Sequence, residues 1–275
     1  MSLPDRAAAR DILIDAARQA GDIALAFFRD GARTSARVDS KAGGSPVTEA
    51  DLAANVFLQG YLAKAFPDAG WLSEETADNS DRLALRRLVI VDPIDGTRAF
   101  LTGDPRWAVA IALIEDGRPV AAVVHAPALE RTFAAAAGFG GSVNGAPLRA
   151  SGAATLENAR AAGPRVAIER MAQVAAATIG VGPKIPSLAY RLALVAEGAL
   201  EFALASSDAH DWDVAAADLL LVEAGASLTT LDGAPLLYNQ ARTRHGVLLG
   251  APHALIGPLV EAARGAGLDA PREAP

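Results

Sequence analysis

Leu88-Val89-Ile90-Val91-Asp92-Pro93-Ile94-Asp95-Gly96-Thr97 is the stretch on which the reading turns. Leu88 to Val91 are apolar and β-forming, and they make a short buried strand. The strand runs straight into Asp92-Pro93. Proline disfavours the helical region for the residue before it, so Asp92 stays extended. A tight turn over the next residues then aims Asp92 and Asp95 at one point. Carboxylates held that close repel each other, and a divalent cation removes the conflict. Hard oxygen ligands favour magnesium or manganese over zinc. The turn also presents the backbone N–H groups of Gly96 and Thr97, which suit a phosphate if a helix starts there. A bare Asp-x-x-Asp is ordinarily a polar turn after a strand. The whole string from Asp92 to Thr97 behind the β-formers is much more specific.

Downstream, Trp107 to Ile114 and Pro119 to His125 read as strands. The turn signal Glu115-Asp116-Gly117 joins them as an antiparallel hairpin. Phe133 to Ala137 and the Asn144-Gly145 turn continue the β pattern. Upstream, residues 5–29 carry Ile12, Leu13, Ala16, Ala20, Ile23 and Phe27 at helical spacing. Residues 31–47 lack that period, hold Gly43, Gly44 and Pro46, and read as an arm or loop. A second helix begins at Thr48, a good N-cap, with Asp51 at the third helical position in a variant of the capping box. Ala53, Val56, Phe57, Gly60 and Tyr61 are expected on one face of it, and Pro67 closes it. From 151 to 205, short apolar strands alternate with Ala-rich helical stretches, including Leu188 to Ala196. Residues 213–224 form a strong helix signal that Gly225 ends. A soft boundary near 150 is expected. It divides an α+β domain with an antiparallel sheet (1–150) from a smaller α/β domain (151–275) that supplies Asp213.

Apolar residues make up 51% of the 275-residue chain, enough for a sizeable core. There are no cysteines, which excludes a disulfide framework, a thiolate metal site and a Cys nucleophile. The net charge of -7 argues against a nucleic-acid polymer as partner. A small phosphorylated substrate remains compatible, because a bound cation reverses the local field. Asp5, Arg6, Arg10, Asp11, Asp15 and Arg18 interrupt any signal-peptide pattern, and no apolar run is long enough to span a bilayer. The expectation is a soluble, cytoplasmic protein without a membrane partner.

Other acids are ordinary when taken alone. Glu74-Glu75 after Leu72-Ser73 reads as a solvated pair, Asp51 as a helix cap, and Asp213 as an N-cap for 214–224. Together they fall into ordered blocks: Ser45-Pro46-Val47-Thr48-Glu49-Ala50-Asp51, Leu72-Ser73-Glu74-Glu75, Asp92 to Thr97, and Trp212-Asp213-Val214-Ala215-Ala216. In that order and spacing the chain resembles the inositol monophosphatase superfamily over nearly its whole length. The resemblance implies a layered αβαβα sandwich with the site between the two sheets. It implies that Glu74, Asp92, Asp95, Asp213 and the Ile94 carbonyl bind two or three Mg2+ ions, with Mn2+ as a possible substitute. It implies that Asp51 and Thr97 orient the attacking water, with Glu74 also in the catalytic set, and that the Gly96 and Thr97 amides hold phosphate. The implied chemistry is hydrolysis of a phosphate monoester by metal-activated water, in line and without a covalent intermediate. Lithium inhibition is also implied.

Within the superfamily, Ser40-Lys41, Leu72-Ser73-Glu74-Glu75 and Thr97-Arg98-Ala99-Phe100 are most similar to the CysQ-like 3'(2'),5'-bisphosphate nucleotidases. That implies conversion of 3'-phosphoadenosine 5'-phosphate to AMP. Ser206 stands where animal-type inositol monophosphatases carry a Glu, which agrees with this substrate. Arg98-Ala99 stands where CysQ-like enzymes often have Lys-Glu, which leaves inositol 1-phosphate as the alternative. Fructose 1,6-bisphosphate and histidinol phosphate are more distant options. Lys41 meets a second phosphate or is simply solvated. Arg98, Ser206, His210 and Asp211 are candidates for the substrate pocket, the last two equally for a structural loop. His125, in an apolar strand, reads as a satisfied core residue. The family implies a monomer or a homodimer. The non-enzyme alternative, a phosphate-ligand-binding protein that kept the fold, would usually have lost a ligand or the water-orienting pair, and here none is missing.

Overall fold

The computed structural model describes residues 3–41 and 44–268, so Gly43 and residues 269–275 lie outside the described residues. Helix α1 (Leu3–Leu25) buries Ala9, Leu13, Ala16, Ala17 and Ala20 along one stripe. The arm that follows is not all loop. It holds a short antiparallel hairpin, β1 (Val38–Ser40) against β2 (Pro46–Thr48). Segments this short show no alternation for a periodicity reading to detect. Helix α2 (Glu49–Ala65) starts at the expected cap, with the Thr48 hydroxyl and Asp51 in a reciprocal capping box. Its buried face differs from the expected one: Ala50, Asp51, Ala54, Asn55, Leu58 and Leu62 face inward, while Val56 is 70% exposed. Asp51 and Asn55 occupy the inward stripe, so a purely hydrophobic reading phases the helix wrongly.

Two sheets follow among the described residues. The first has seven strands in chain order: β3 (Gly70–Ser73), β4 (Arg87–Asp95), β5 (Ala108–Glu115), β6 (Arg118–Ala126), β7 (Arg131–Ala136), β8 (Gly140–Val143) and β9 (Ala146–Pro147). β3 runs parallel to β4, and every other pair is antiparallel. Helix α3 (Thr97–Thr102) leaves the end of β4. Asp116-Gly117 and Asn144-Gly145 take left-handed backbone angles at their hairpin turns, which match the twist of paired strands.

The second sheet has strand order β11-β10-β12-β14-β13 and mixed direction. Its elements in chain order are β10 (Ala159–Ala162), α4 (Arg165–Val174), β11 (Ile179–Val181), α5 (Leu188–Ala196), β12 (Phe202–Ala205), α6 (Asp211–Glu223), β13 (Ala226–Thr230), β14 (Leu248–Pro252) and α7 (His253–Gly265).

Packing produces the αβαβα sandwich. α1 and α2 cover one face of the first sheet, meeting Val89, Val91, Val109, Ile111 and Leu113. The opposite face, with Leu88, Ile90, Ala110 and Ala112, packs on α5 and α6. The second sheet closes that middle layer, and α4 and α7 cover its outer face. Because both faces of β4 and β5 are buried, their sequences read as continuous apolar runs rather than alternation. A fully buried side chain such as Leu58 contributes roughly 1.5–3 kcal/mol of transfer free energy. The middle layer is thin: Ala215, Ala216 and Ala217 of α6 are buried in the same cluster as Ala110, Ala112 and Ala122. No described helix is long and apolar enough to cross a membrane.

Candidate active site

A bulge in β4 builds the core of the site. Asp92 pairs with Ala110 and Asp95 with Ala108, so three steps on β4 oppose two on β5. In a regular strand, residues three apart face opposite sides. The extra residue cancels that alternation and brings both carboxylates to one side. Pro93 has no N–H to lose from the ladder, which suits it to the bulge. The Ile94 N–H donates to Asp92 Oδ1 at 3.0 Å. Gly96 then takes φ +92°, and a Cβ there would lie 3.1 Å from the Ser187 nitrogen. The turn therefore requires glycine twice over, for its angle and for the close approach of α5. The first N–H groups of α3 have no partner within the helix, and the Thr97 hydroxyl donates to the Ile94 carbonyl at 3.2 Å.

The second half of the chain reaches into the same point. Asp213 does not cap 214–224 as expected. α6 begins at Asp211, His210 is the N-cap, and Asp213 is the third helical residue, accepting the His210 N–H at 2.6 Å. The sequence stretch Asp211-Trp212 carries no cap signature, so the helix starts earlier than its apolar run. Asp92, Asp95 and Asp213 each place a carboxylate oxygen within 4.8 Å of the others. Asp95 Oδ2 is held by the Ser187 hydroxyl and the Ala189 N–H, both at 2.6 Å.

Glu74 lies just beyond β3, where its N–H donates to the Val91 carbonyl at 3.3 Å. Ser73 donates to Asn55 Oδ1 at 2.7 Å, and Asn55 donates to the Thr76 hydroxyl at 3.0 Å, which pins this turn to α2. The Lys41 ammonium donates to Glu74 Oε1 and Glu75 Oε1, each at 2.8 Å. Asp51 receives the Thr48 N–H and hydroxyl on Oδ2, at 2.8 and 2.5 Å. Its Oδ1 is buried with no partner.

Electrostatics show how crowded the cage is. Burial pushes Asp51 up to about 7 against the stabilising bonds from Thr48. Burial and the charges of Glu74, Asp95 and Asp213 push Asp92 well above the ordinary carboxylate range. Asp95 rises to about 6, again through burial, with Ser187 and Ala189 opposing. Burial and then the Asp95 charge raise Asp213. Oxygen donors this close, desolvated and mutually repelling, fit a hard divalent cation. The orphan Asp51 Oδ1 beside them leaves one further acceptor for a donor such as water.

A cleft of about 480 Å³ opens from Asp95 and Asp213 and includes Ser206 in its wall. His210 sits at the head of α6, stacked on Trp212 with ring centroids 4.5 Å apart. Asp211 is buried, and its Oδ1 lies 2.7 Å from His245 Nε2. Arg98 is exposed on α3. His125 is buried, with Nδ1 3.0 Å from the Thr132 hydroxyl, as a core histidine should be. Sequence reasoning did not single out Ser187, Asn55 or His245. Ser187 had a signal, since it is the N-cap of the expected helix at Leu188. Asn55 and His245 had none.

A profile described as "Inositol monophosphatase family" matches residues 5–264. A histidinol-phosphatase of Mycobacterium tuberculosis is 39% identical over 209 residues, covering 72% of this chain and 78% of that one. A 3'(2'),5'-bisphosphate nucleotidase CysQ of Aggregatibacter actinomycetemcomitans is 32% identical over 236 residues, covering 83% and 86%. The crystal structure of the extragenic suppressor protein suhB of Bartonella henselae superposes with a TM-score of 0.80 at 27% identity, over 94% of this chain and 98% of that one.

Proposed function

The chain belongs to the inositol monophosphatase family, and from that premise we propose that it is a cytoplasmic, magnesium-dependent phosphomonoesterase acting on a small phosphorylated metabolite. The family makes it a metal-dependent phosphatase. The single observation that carries the reading is the convergence of Asp92, Asp95 and Asp213, from both halves of the chain, on one buried point.

Glu74, Asp92, Asp95, Asp213 and the Ile94 carbonyl would hold the cations. When bound, these supply positive charge to the phosphate and acidify water. The remaining work falls to the chain itself. Thr48 fixes Asp51 through Oδ2, leaving Oδ1 to accept a proton from a water, with Thr97 as its companion. The left-handed turn at Gly96 and the start of α3 direct N–H groups toward a phosphate oxygen. Ser187 and Ala189 hold Asp95 in one orientation.

For the substrate, the reading is 3'-phosphoadenosine 5'-phosphate, hydrolysed to AMP. It is supported by the CysQ relative, whose match spans more of both chains than the histidinol-phosphatase match. The second reading, histidinol phosphate, rests on the higher identity of that relative. Inositol 1-phosphate is the third ester to compare. Measuring kcat/KM on all of them with Mg2+ decides the matter. The bisphosphate is expected to lead by at least tenfold. Equal or better turnover of another ester overturns the substrate assignment, and no phosphate release from any of them with Mg2+ or Mn2+ overturns the enzyme.

A further inference from the structure

Helix α6 carries Asp213 in its first turn and Asp218 five residues later, about 140° around the helix axis. Asp218 therefore leaves the helix on a different side from the acidic cage. It lines a separate cavity of about 400 Å³, set between the first residues of β6, the second half of α6, and β13. This cavity shares no residue with the cleft at Asp95 and Asp213. Hydrolysis as described above uses none of its side chains. Its volume is within the range of pockets that hold a small-molecule ligand.

The polar groups of the cavity are few and incompletely bonded. Asp218 is 6% exposed, and its Oδ2 accepts the Tyr238 hydroxyl at 3.0 Å. Its Oδ1 takes no hydrogen bond among the described residues. Thr229 is 4% exposed, and its Oγ1 is buried without a partner. Arg118 is the one cation in the lining, and its Nη1 donates to the Leu236 carbonyl. It reaches Asp218 only through its charge. Glu223, the other acid of the lining, has both oxygens occupied by the Gly138 and Gly140 N–H groups. Two carboxylates and one guanidinium leave the lining with one net negative charge. Leu219, Val222, Leu228 and Pro235 make much of the remaining wall apolar. A buried carboxylate with an unbonded oxygen, beside a buried hydroxyl without a partner, is costly unless a donor completes them.

We propose that this cavity is a binding site for a small organic monocation, an amine with an apolar body, whose ammonium is held by Asp218 and Thr229. The sign follows from the lining. An anion would meet Asp218 and Glu223, and a neutral ligand would leave the extra charge unmatched. An ammonium offers three donors and no acceptor, so it can serve both Asp218 Oδ1 and Thr229 Oγ1. A hydrogen bond between charged partners is roughly twice as strong as a neutral one. Leu219, Val222 and Leu228 then cover the apolar body. A bare divalent ion fits less well, because one carboxylate and one hydroxyl are too few oxygen ligands for it and the surrounding wall is apolar.

The probe is phenethylammonium, with 2-phenylethanol as its neutral counterpart. Both are titrated calorimetrically into the protein at saturating Mg2+, so that the acidic cage does not compete for a cation. The pH is kept above the value of about 6 to which burial raises Asp218, so that its carboxylate is charged. The ammonium is expected to bind at least tenfold tighter than the alcohol. Asp218→Asn keeps the shape and removes the charge, and should cut that preference to less than threefold. Val222 is half-exposed on the cavity wall, and Val222→Arg adds a cation there without altering a buried carboxylate. It should weaken the ammonium at least tenfold, and it tests the site even if Asp218→Asn does not fold. Inorganic phosphate at saturation should leave the ammonium affinity unchanged, since the two cavities share no residue. Equal binding of ammonium and alcohol overturns the site. So does a folded variant that binds the ammonium as the wild type does. Displacement of the probe by phosphate would put it in the catalytic cleft and would overturn the site as well.

Discussion

The cleft has two walls of opposite character. One wall is Asp95 and Asp213, which cluster with Asp92 behind them, while Lys41 pairs with Glu74 and Glu75 nearby. The other presents Arg165, Lys184 and Arg191, with Asp208 as its one carboxylate. The acidic wall is held by a dense set of local bonds, such as the Thr48 and Ser187 contacts to its carboxylates. The basic wall has few. A wall that repels itself needs scaffolding before its cation arrives. Arg165 and Lys184 are exposed to solvent and need little support, while the buried Arg191 Nε stands without a partner.

The largest effect should come from breaking the acidic wall directly. Asp95→Asn keeps the shape and the Ser187 neighbourhood while removing charge, and is expected to lower kcat roughly 10³-fold. Near-normal turnover in a variant with an unchanged thermal midpoint would refute the role of this carboxylate. A smaller effect is expected from its scaffolding. Ser187→Ala removes one of the bonds on Asp95 Oδ2, and a partner of this kind typically contributes 10–100-fold in metal affinity. A Mg2+ titration of activity should show the midpoint rising by about tenfold, and an unshifted midpoint would mean that the Ala189 N–H alone suffices.

Two groups away from both walls set the pH background, and their effects are the smallest. Burial pushes His125 down to about 4. It stays neutral in the fold, so its contribution is complete above the unfolded value near 6.5 and is lost as pH falls toward 4. Burial raises Asp218 to about 6, opposed by its bond from Tyr238. Its contribution is present below the unfolded value near 3.8 and is lost as pH rises through 6. Thermal midpoints of the metal-free protein should therefore lose part of their acid-side fall in His125→Gln and part of their neutral-side fall in Asp218→Asn. Each effect is on the order of 3 kcal/mol. Midpoints that fall just as steeply in the variants would contradict the assigned directions.

The two walls also differ in how they can be read from sequence. Asp92 and Asp95 sit in one short string behind a strand, and Asp51 and Glu74 sit in compact strings of their own. The layered sandwich was implied by the family resemblance that these blocks carry. The sequence aimed Asp92 and Asp95 at one point through a tight turn, whereas the structure keeps them in the strand and does it with a bulge. The basic wall has no such string, because Arg165, Lys184 and Arg191 converge only after α4 and α5 have packed. The phase of α2 was misjudged for a related reason, since polar Asp51 and Asn55 face inward. The β1–β2 hairpin escaped because its strands are too short to carry a period. The early start of α6 escaped because His210 is not a usual cap.

The alanines of α6 give the site a property that no catalytic residue supplies. Ala215, Ala216 and Ala217 sit between the two sheets, on the turn of α6 that follows Asp213 and Val214. The thickness of that layer therefore sets how far Asp213 stands from Asp92 and Asp95. In mechanical terms α6 is a shim, and its gauge is one methyl group. Metal ligation tolerates errors of only about 0.2 Å in its distances. Side chains with no chemistry of their own thus calibrate the aperture in which the chemistry takes place.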